Sequence, residues 1–159
     1  MSGIEPLPRN AYATWLEVAK AATTRLIIFS PFFDEMVLHL FNESPLDWNK
    51  KGLVTQLDWE DSTLQTFNKE IVIKRLIEYG ADVRILPRLH AKAIVSDWDR
   101  AVIGSQNFTY YSQESYEISF ALDRFAEDSD LDEVFESLEE WWDLAGEELK
   151  GNQDELDDD

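Results

Sequence analysis

The first half of the chain alternates segments of helical hydrophobic spacing with short, continuously apolar runs. Apolar side chains recur every three or four residues in three segments, which predicts helices at residues 11–24, 32–41 and 63–79. The short apolar runs between them predict buried strands at residues 25–30 and 53–58. Helices and strands therefore alternate here, as in proteins that cover a sheet with helices.

In the second half the hydrophobic period becomes two. Apolar and polar residues alternate in a way typical of half-buried strands. The predicted strands are at residues 82–87, 90–97, 101–104 and 116–122. The dipeptide Trp98-Asp99 reads as a tight turn between two of them. Together the two halves predict an α/β fold in which helices cover a mixed central sheet.

The C-terminal part carries the clearest amphipathic pattern. Residues 129–150 have one apolar face and one almost entirely acidic face, which predicts a helix docked on the sheet. Residues 151–159 are strongly acidic and are predicted to be a disordered tail. We expect one domain over residues 1–150, with its core in residues 24–122.

The charge of the chain is concentrated at its C-terminus. The formal net charge is −19, which argues against an ordinary nucleic-acid binder because such proteins are usually basic. Residues 1–122 hold 16 acidic and 12 basic side chains, however, whereas residues 123–159 hold 17 acidic and 2 basic ones. The exclusion therefore does not apply to the first 122 residues. Adaptation to high salt, a solubilising tail and a regulatory tail that limits nucleic-acid binding at low salt all remain open as reasons for the acidity.

Two classes of protein are not indicated by the composition. The chain has no cysteine, so it can contain neither a disulfide framework nor a thiol nucleophile. It also contains no apolar run approaching the roughly 20 residues of a membrane span, nor a pattern typical of a leader peptide. We therefore expect a cytoplasmic protein without a membrane partner.

The residues that indicate chemistry begin at His90. In an extended strand His90 and Lys92 point to the same face, so they can share one site. Asp97 lies an odd number of positions from His90 and is better suited to fixing the turn at the end of the strand. His39, the other histidine, has Phe41 two positions later instead of a lysine, and we interpret it as structural.

The following strand ends in a second polar group. Gly104 permits close approach of the backbone, and Ser105 and Asn107 offer hydrogen-bond donors to an oxyanion. A hairpin would bring these residues toward His90 and Lys92. An imidazole, an ammonium group and an amide together suit a phosphoryl group, with the imidazole as nucleophile or proton donor.

These residues resemble the signature of the phospholipase D superfamily. His90, Lys92 and Asp97 match its H-x-K-x4-D motif, and Gly104, Ser105 and Asn107 match the G-S-x-N that follows. The likeness covers residues 24–122. It includes the segments Ser30–Phe33, Arg84–Pro87, Asn107–Thr109 and Tyr116–Glu117. One departure lies at residues 110–115, where many relatives have a glycine and an asparagine. The resemblance implies an α/β/α sandwich.

The resemblance also implies a mechanism. Members with one motif form homodimers in which two motifs build one site, so His90 of one copy would form a phosphohistidine while that of the second copy protonates the leaving oxygen. Lys92, Ser105 and Asn107 would hold the phosphate, and Glu117 matches the acid that orients a histidine. Asp97 and Gly104 would be structural members of the motif. No metal or other cofactor is implied.

The resemblance leaves the substrate open. We favour a nuclease, acting on DNA rather than RNA, because single-motif members resemble nucleases. A lipid phosphodiesterase or phosphatidyl transferase and a non-catalytic nucleic-acid-binding module are the alternatives. Basic residues near the motif could contact backbone phosphates. These candidate contacts are Arg84, Arg88, Arg100, Lys50 and Lys51.

Overall fold

The computed structural model describes residues 2–56 and 64–157, and side chains within residues 2–56 and 68–146. The strands of this part are β1 (Ile4–Arg9), β2 (Leu26–Phe29), β3 (Lys51–Thr55), β4 (Asp82–Ile85), β5 (Lys92–Ser96), β6 (Arg100–Gly104) and β7 (Glu117–Asp123). The α-helices are α1 (Tyr12–Ala21), α2 (Met36–Glu43), α3 (Leu64–Tyr79) and α4 (Asp132–Asp157). Short 3-10 turns lie at Trp48–Lys50 and Tyr111–Glu114.

The described strands form one mixed sheet, which confirms the predicted fold class. Their order is β1-β7-β6-β5-β2-β3-β4. Strands β2, β3 and β4 are parallel, and the other neighbouring pairs are antiparallel. The parallel part corresponds to the alternating first half of the sequence, and the antiparallel part to the hairpins of the second half.

Helices cover both faces of the sheet, which confirms the expected α/β/α sandwich. Helices α1, α2 and α3 pack on one face, where the buried rings of Trp15 and Phe108 stack with centroids 4.1 Å apart. Helix α4 packs on the other face through Phe135, Leu138 and Trp142. We call these the α1–α3 face and the α4 face.

The registers place one end of each strand at a common end of the sheet. Lys92 pairs with Gly104, Gly104 with Ser119, and Phe29 with Ala93. The carboxyl ends of β2 and β6 therefore lie beside the amino ends of β5 and β7. We call this the site end. The opposite end, which contains Leu26, Ser96 and Arg100, is the far end.

Strand β1 was not predicted from the sequence. It contains Pro6 and Pro8, which lack a backbone N–H and disfavour a central strand. The strand lies at the edge of the sheet, beside β7. Proline is tolerated in such an edge strand because one side of the strand needs no ladder partner.

Several predicted boundaries are corrected by the structure. Helix α2 begins at Met36 instead of residue 32, because the preceding segment is held by other bonds: the Ser30 N–H donates to the Val54 carbonyl (3.0 Å), and Phe33 bridges to Phe108. Strand β5 begins at Lys92, two residues after the predicted start. Residues 57–58 of one predicted strand and residue 63 of a predicted helix lie outside the described residues.

The end of the last helix also differs from the prediction. Helix α4 begins at Asp132 and continues to Asp157, so residues 151–157 are helical and not a disordered tail. Extending a helix that is already nucleated adds one hydrogen bond per residue, and Glu, Gln and Leu are good helix formers. Residues 158–159 of the predicted tail lie outside the described residues. Within the described part, no helix is both long and apolar enough to cross a bilayer.

Candidate active site

Gly104 holds the first part of the candidate site in place. It is the last residue of β6, where it pairs with Lys92 on one side and Ser119 on the other. A methyl group at Gly104 would overlap the Ile118 carbonyl oxygen and the Ser119 side chain. Glycine is therefore required here by close packing, and Lys92 and Ser105 are brought together as a result.

Ser105 lies just beyond Gly104 and is joined to β7. Its hydroxyl donates to Glu117, its N–H donates to the Ile118 carbonyl (3.0 Å), and its oxygen accepts from the Ile118 N–H (3.1 Å). The sequence predicted that Glu117 would orient a histidine. In this single chain its carboxylate binds the Ser105 hydroxyl, so both residues lie together at the site end.

Asn107 presents a polar group that has no hydrogen-bond partner. Its backbone carbonyl accepts from the Ser112 hydroxyl (2.8 Å) and the Thr109 N–H (2.9 Å), which fixes the loop. Its side-chain oxygen is buried and has no hydrogen-bond partner among the described residues. Leaving such an acceptor unpaired costs about 1–3 kcal/mol unless a donor from outside the described residues pairs with it.

His90 lies in the turn that precedes β5. It is exposed, and the turn includes Arg88 in a left-handed conformation (φ 68°). Leu89 and Ala91, on either side of His90, both pack on the α4 face, as Ala93 does. Since β5 begins at Lys92, the strand ladder does not fix the direction of His90, and its sharing one side with Lys92 stays a prediction.

Asp97 has the contacts of a structural residue. It lies at the far end, beyond β5, in a left-handed conformation (φ 56°) that forms the hairpin turn. Its carboxylate accepts hydrogen bonds from the N–H groups of Thr23, Thr24 and Arg25, at 2.8–3.2 Å, and from both threonine hydroxyls. Burial alone would raise the pKa of Asp97, but these bonds outweigh burial and lower it to about 2.

Two of the predicted phosphate contacts are occupied by other interactions. The Arg84 guanidinium lies 3.5 Å from the Trp142 ring centroid and forms a salt bridge with Asp82 (2.9 Å). Lys51 is buried against the Trp48 ring, and burial lowers its pKa although Asp47 opposes this. Both predictions are corrected, since neither side chain is free to meet a ligand.

Two further predicted contacts lie away from the site. Lys50 precedes β3 and Arg100 begins β6, and both positions belong to the far end. The four-residue separation of Arg100 from Gly104 corresponds to about 13 Å along a strand. Arg100 is close to the motif in sequence, but it lies at the turn of the β5–β6 hairpin, which is at the opposite end of the sheet from the site. Of the five basic residues, Arg88 lies beside His90.

Three residues that sequence reasoning missed contribute to the site end. Arg9 pairs with Glu117, and its guanidinium lies over the Tyr116 ring, 5.0 Å from the ring centroid. Arg9 is exposed and therefore brings a positive charge to the site end, whereas Arg100 lies at the far end. It was missed because β1 was not predicted. Buried Gln106 accepts from the Ala11 N–H (2.9 Å) and so ties the site loop to the start of α1.

Lys69 is the third missed residue. Its ammonium group is buried and donates to the carbonyls of Pro31 and Gln56, both at 2.7 Å, near the carboxyl ends of β2 and β3. A signal existed in the sequence: Lys69 lies three and seven positions before Val72 and Leu76, within the apolar stripe of its helix. A lysine in such a stripe indicates a buried polar contact.

Known proteins of similar structure were compared with this one. Nuc, a phospholipase D family member from Salmonella typhimurium, has 17% identity and a TM-score of 0.64, covering 90% of this chain and 93% of its own. NucT from Helicobacter pylori has 13% identity and a TM-score of 0.66, covering 92% and 97%. Phosphatidylserine synthase from Haemophilus influenzae Rd KW20 has 10% identity and a TM-score of 0.65, covering 89% and 38%. These likenesses show the fold.

The family itself is shown by the sequence. No curated protein matches the chain significantly. Residues 16–141, however, match the family model described as "Cardiolipin synthase, PLD-like domain", which spans well over half of the chain. The chain therefore belongs to the phospholipase D-like family, and this membership implies phosphodiesterase-type chemistry.

Proposed function

We propose that the protein is a metal-independent nuclease that cleaves DNA in preference to RNA through a phosphohistidine on His90, in a site shared by two copies. One observation carries the proposal: Lys92, Ser105, Asn107 and Glu117 come together at the site end, where His90 is exposed. This set offers a nucleophile and donors for phosphate oxygens.

The reaction would proceed in two displacements. An imidazole nitrogen of His90 attacks phosphorus, a P–N bond forms and the bond to the leaving oxygen breaks. The imidazolium of His90 from the second copy gives its proton to that oxygen. Water then attacks phosphorus, loses its proton to the same second imidazole, and breaks the P–N bond. Lys92 and the Asn107 amide would stabilise the charge on the non-bridging oxygens in both steps.

Glu117 would change partner when the second copy binds. In the single chain its carboxylate holds the Ser105 hydroxyl. If it turns to the facing imidazole, the Ser105 hydroxyl becomes free to donate to the phosphate. The carboxylate would then hold one ring nitrogen and leave the other directed at phosphorus, which is the usual role of an acid beside a catalytic histidine.

An uncovered part of the α4 face supports the homodimer. Ile118 is 62% exposed and Phe120 is 43% exposed, and both lie on β7, the strand that carries Glu117 on its other face. Pro8 and Pro6 pair with them from β1 and extend this apolar surface. Exposed apolar patches of this kind mark association surfaces. A second copy on this surface would be adjacent to the site.

Charge supports a nucleic acid over a lipid as the substrate. The exposed residues of α4 include many carboxylates, among them Glu136, Glu139, Glu140 and Asp143. An anionic bilayer would repel this helix, since helices that lie on membranes normally present Lys and Arg. Arg9 and Arg88 supply positive charge at the site end instead, where a nucleic-acid backbone would lie.

The direct test is an activity assay in chelator. Wild type and His90→Asn are compared on labelled DNA, labelled RNA, phosphatidylcholine vesicles and a small diester, methyl p-nitrophenyl phosphate, all with EDTA. We expect wild type to cleave DNA and the small diester, and His90→Asn to lose about a thousand-fold or more of this activity. Equal activity in the variant, or activity that requires an added metal, would overturn the proposal.

A further inference from the structure

The outer surface between α2 and α3 contains a groove that starts near the site. Two adjoining cavities, of about 210 Å³ and about 420 Å³, share Glu35 and Tyr110. The first extends to Asn68, and the second continues to Trp48 and Tyr79. Between Asn68 and Tyr79 the helix rises about 16 Å, the length of four to five stacked bases at about 3.4 Å each. We call this the aromatic groove.

Flat aromatic rings line the groove. Trp48 packs between Tyr79, with ring centroids 4.8 Å apart, and the Lys51 ammonium group, 4.3 Å from its ring centroid. Tyr79 and Tyr110 are 56% and 51% exposed, and the Tyr110 ring lies 6.5 Å from that of His39. The Tyr12 hydroxyl is 2.6 Å from His39 Nε2, so this bond fixes the imidazole ring. The sequence predicts a structural role for His39, and its ring also lines this cavity. Tyrosine and tryptophan faces are the surfaces on which bases stack.

The mouth of the groove is joined to the loop that carries Asn107. Tyr110 follows Asn107 by three residues, and its N–H donates to Asp34 (2.9 Å). The Asp34 N–H in turn donates to the Phe108 carbonyl (3.3 Å). A polymer with one phosphate at Asn107 would therefore have its neighbouring units at Tyr110.

The charges at the mouth favour bases over phosphates. Asp34 and Glu35 are acidic, and Glu35 lies 3.7 Å from Arg75. Carboxylates repel phosphates but accept hydrogen bonds from the amino groups of bases. Burial and the nearby Asp34 carboxylate raise the pKa of Tyr110, so its hydroxyl stays protonated and can also donate. A duplex would present phosphates to this surface and keep its bases hidden.

We propose that the aromatic groove binds the bases of a single-stranded nucleic acid whose backbone is cleaved at His90. The inference rests on the proposed function, and it identifies the single strand as the form of substrate. Bases stack on the exposed rings of Tyr110 and Tyr79, His39 and Trp48 line the groove between them, and phosphates face solvent. Stacking supplies about 1–3 kcal/mol of affinity per base, and the phosphate contacts at the site end make binding weaken as salt rises.

The test measures binding by fluorescence anisotropy, with the full chain carrying His90→Asn to prevent cleavage. The probes are a labelled DNA strand about 12 nucleotides long and the corresponding duplex. Tyr79→Ala and Tyr110→Ala are added separately. The matched control is Tyr111→Ala, because Tyr111 is 80% exposed and does not line the groove. Circular dichroism melts establish that each variant is folded.

We expect the single strand to bind about ten-fold or more tightly than the duplex, and each groove substitution to weaken it about ten-fold. Tyr111→Ala should bind like the parent. Equal affinity for the duplex, no loss in the groove variants, or an equal loss in Tyr111→Ala would each overturn the inference.

The wild-type assay on methyl p-nitrophenyl phosphate separates this inference from the proposed function, because that diester has no base. Hydrolysis of the small diester without preference for the single strand overturns the groove alone. Binding of the single strand in a protein that hydrolyses no diester overturns the proposed function and leaves the groove as a binding site.

Discussion

Asp97 and Asn107, which lie at opposite ends of the sheet, differ in whether their side-chain oxygens have hydrogen-bond partners. At the far end, the Asp97 carboxylate accepts bonds from the N–H groups of Thr23, Thr24 and Arg25. At the site end, the Asn107 side-chain oxygen is buried with no hydrogen-bond partner among the described residues. The bonds of Asp97 stabilise the fold, whereas the Asn107 oxygen, an unpaired acceptor, adds nothing to its stability.

The residues of the single sequence motif therefore serve two functions, catalysis at the site end and stability at the far end. His90, Lys92, Ser105 and Asn107 belong to the site end, whereas Asp97 belongs to the far end, five residues and about 16 Å beyond Lys92 along the strand. Substitutions at the site end should therefore reduce activity with little loss of stability. A substitution at Asp97 should do the reverse.

After the loss of His90 itself, the largest effect is expected at Lys92. Lys92→Met removes the ammonium group and keeps most of the side-chain volume. We expect cleavage of the small diester to fall about 10²–10³-fold, because charge in the transition state loses a partner, while the melting temperature changes little. Lys50→Met, at the far end, is the matched control and should cleave normally. A large fall in melting temperature for Lys92→Met would contradict the division.

Asn107→Ala should separate activity from stability most clearly. Activity should fall about 100-fold through loss of the amide donor. The free energy of unfolding should stay the same or rise by about 1 kcal/mol, because an unpaired buried acceptor is removed. Urea unfolding and the diester assay measure the two effects. A marked loss of stability would mean that the Asn107 side chain supports the fold.

Asp97→Asn should destabilise the protein by about 2 kcal/mol. The charged acceptor of several N–H bonds is lost, and partial solvent exposure reduces the effect below that of a fully buried charge. The folded variant should retain its activity. Asp99→Asn is the control: burial and the neighbouring Asp97 charge raise the pKa of Asp99, so neutralising it should leave stability unchanged or slightly higher. Equal losses in both variants would show that the Asp97 bonds are unimportant.

The stabilisation by Asp97 should depend on pH in a defined window. Its pKa is about 2 in the folded protein and about 3.9 in an unfolded chain. The contribution is therefore complete above about pH 4 and is lost as the pH falls toward about 2. The difference in unfolding free energy between wild type and Asp97→Asn should narrow across that window. A constant difference would contradict the assigned cause.

The smallest effects are expected at the exposed arginines. Arg9→Ala and Arg88→Ala, at the site end, should each weaken DNA cleavage about three-fold at low salt, and less at high salt. Arg100→Ala, at the far end, should cleave as wild type does. An effect of Arg100→Ala equal to the other two would show that DNA contacts both ends of the sheet.

The sequence predicted the fold class because the hydrophobic periods were clear in most elements. The α/β class, the four α-helical regions and six of the seven strands follow from these periods, although several boundaries shifted. Strand β1 could not be predicted because Pro6 and Pro8 disfavour a strand in the local sequence. It forms because it pairs with β7, which is distant in the sequence. The acidic composition of the last residues predicted a tail, whereas helix α4 continues to Asp157 because extending an existing helix is favourable.

Only the part of the candidate site formed by neighbouring strands could be predicted from the sequence. Residues within the two motif strands were identified because a hairpin brings them together locally. Arg9, Lys69 and the ring of Tyr110 reach the site end through contacts across the chain. Those contacts depend on the registers of the sheet, and spacing in the sequence does not reveal them.

The most direct test of the central claim is detection of the covalent phosphorus on His90. The wild-type protein, in EDTA, is mixed with labelled DNA, quenched under alkaline conditions and analysed by peptide mass spectrometry. The account predicts a phosphorus adduct on the peptide that contains His90, and no adduct with His90→Asn. Rapid cleavage without any adduct on His90, or undiminished cleavage by His90→Asn, would contradict it.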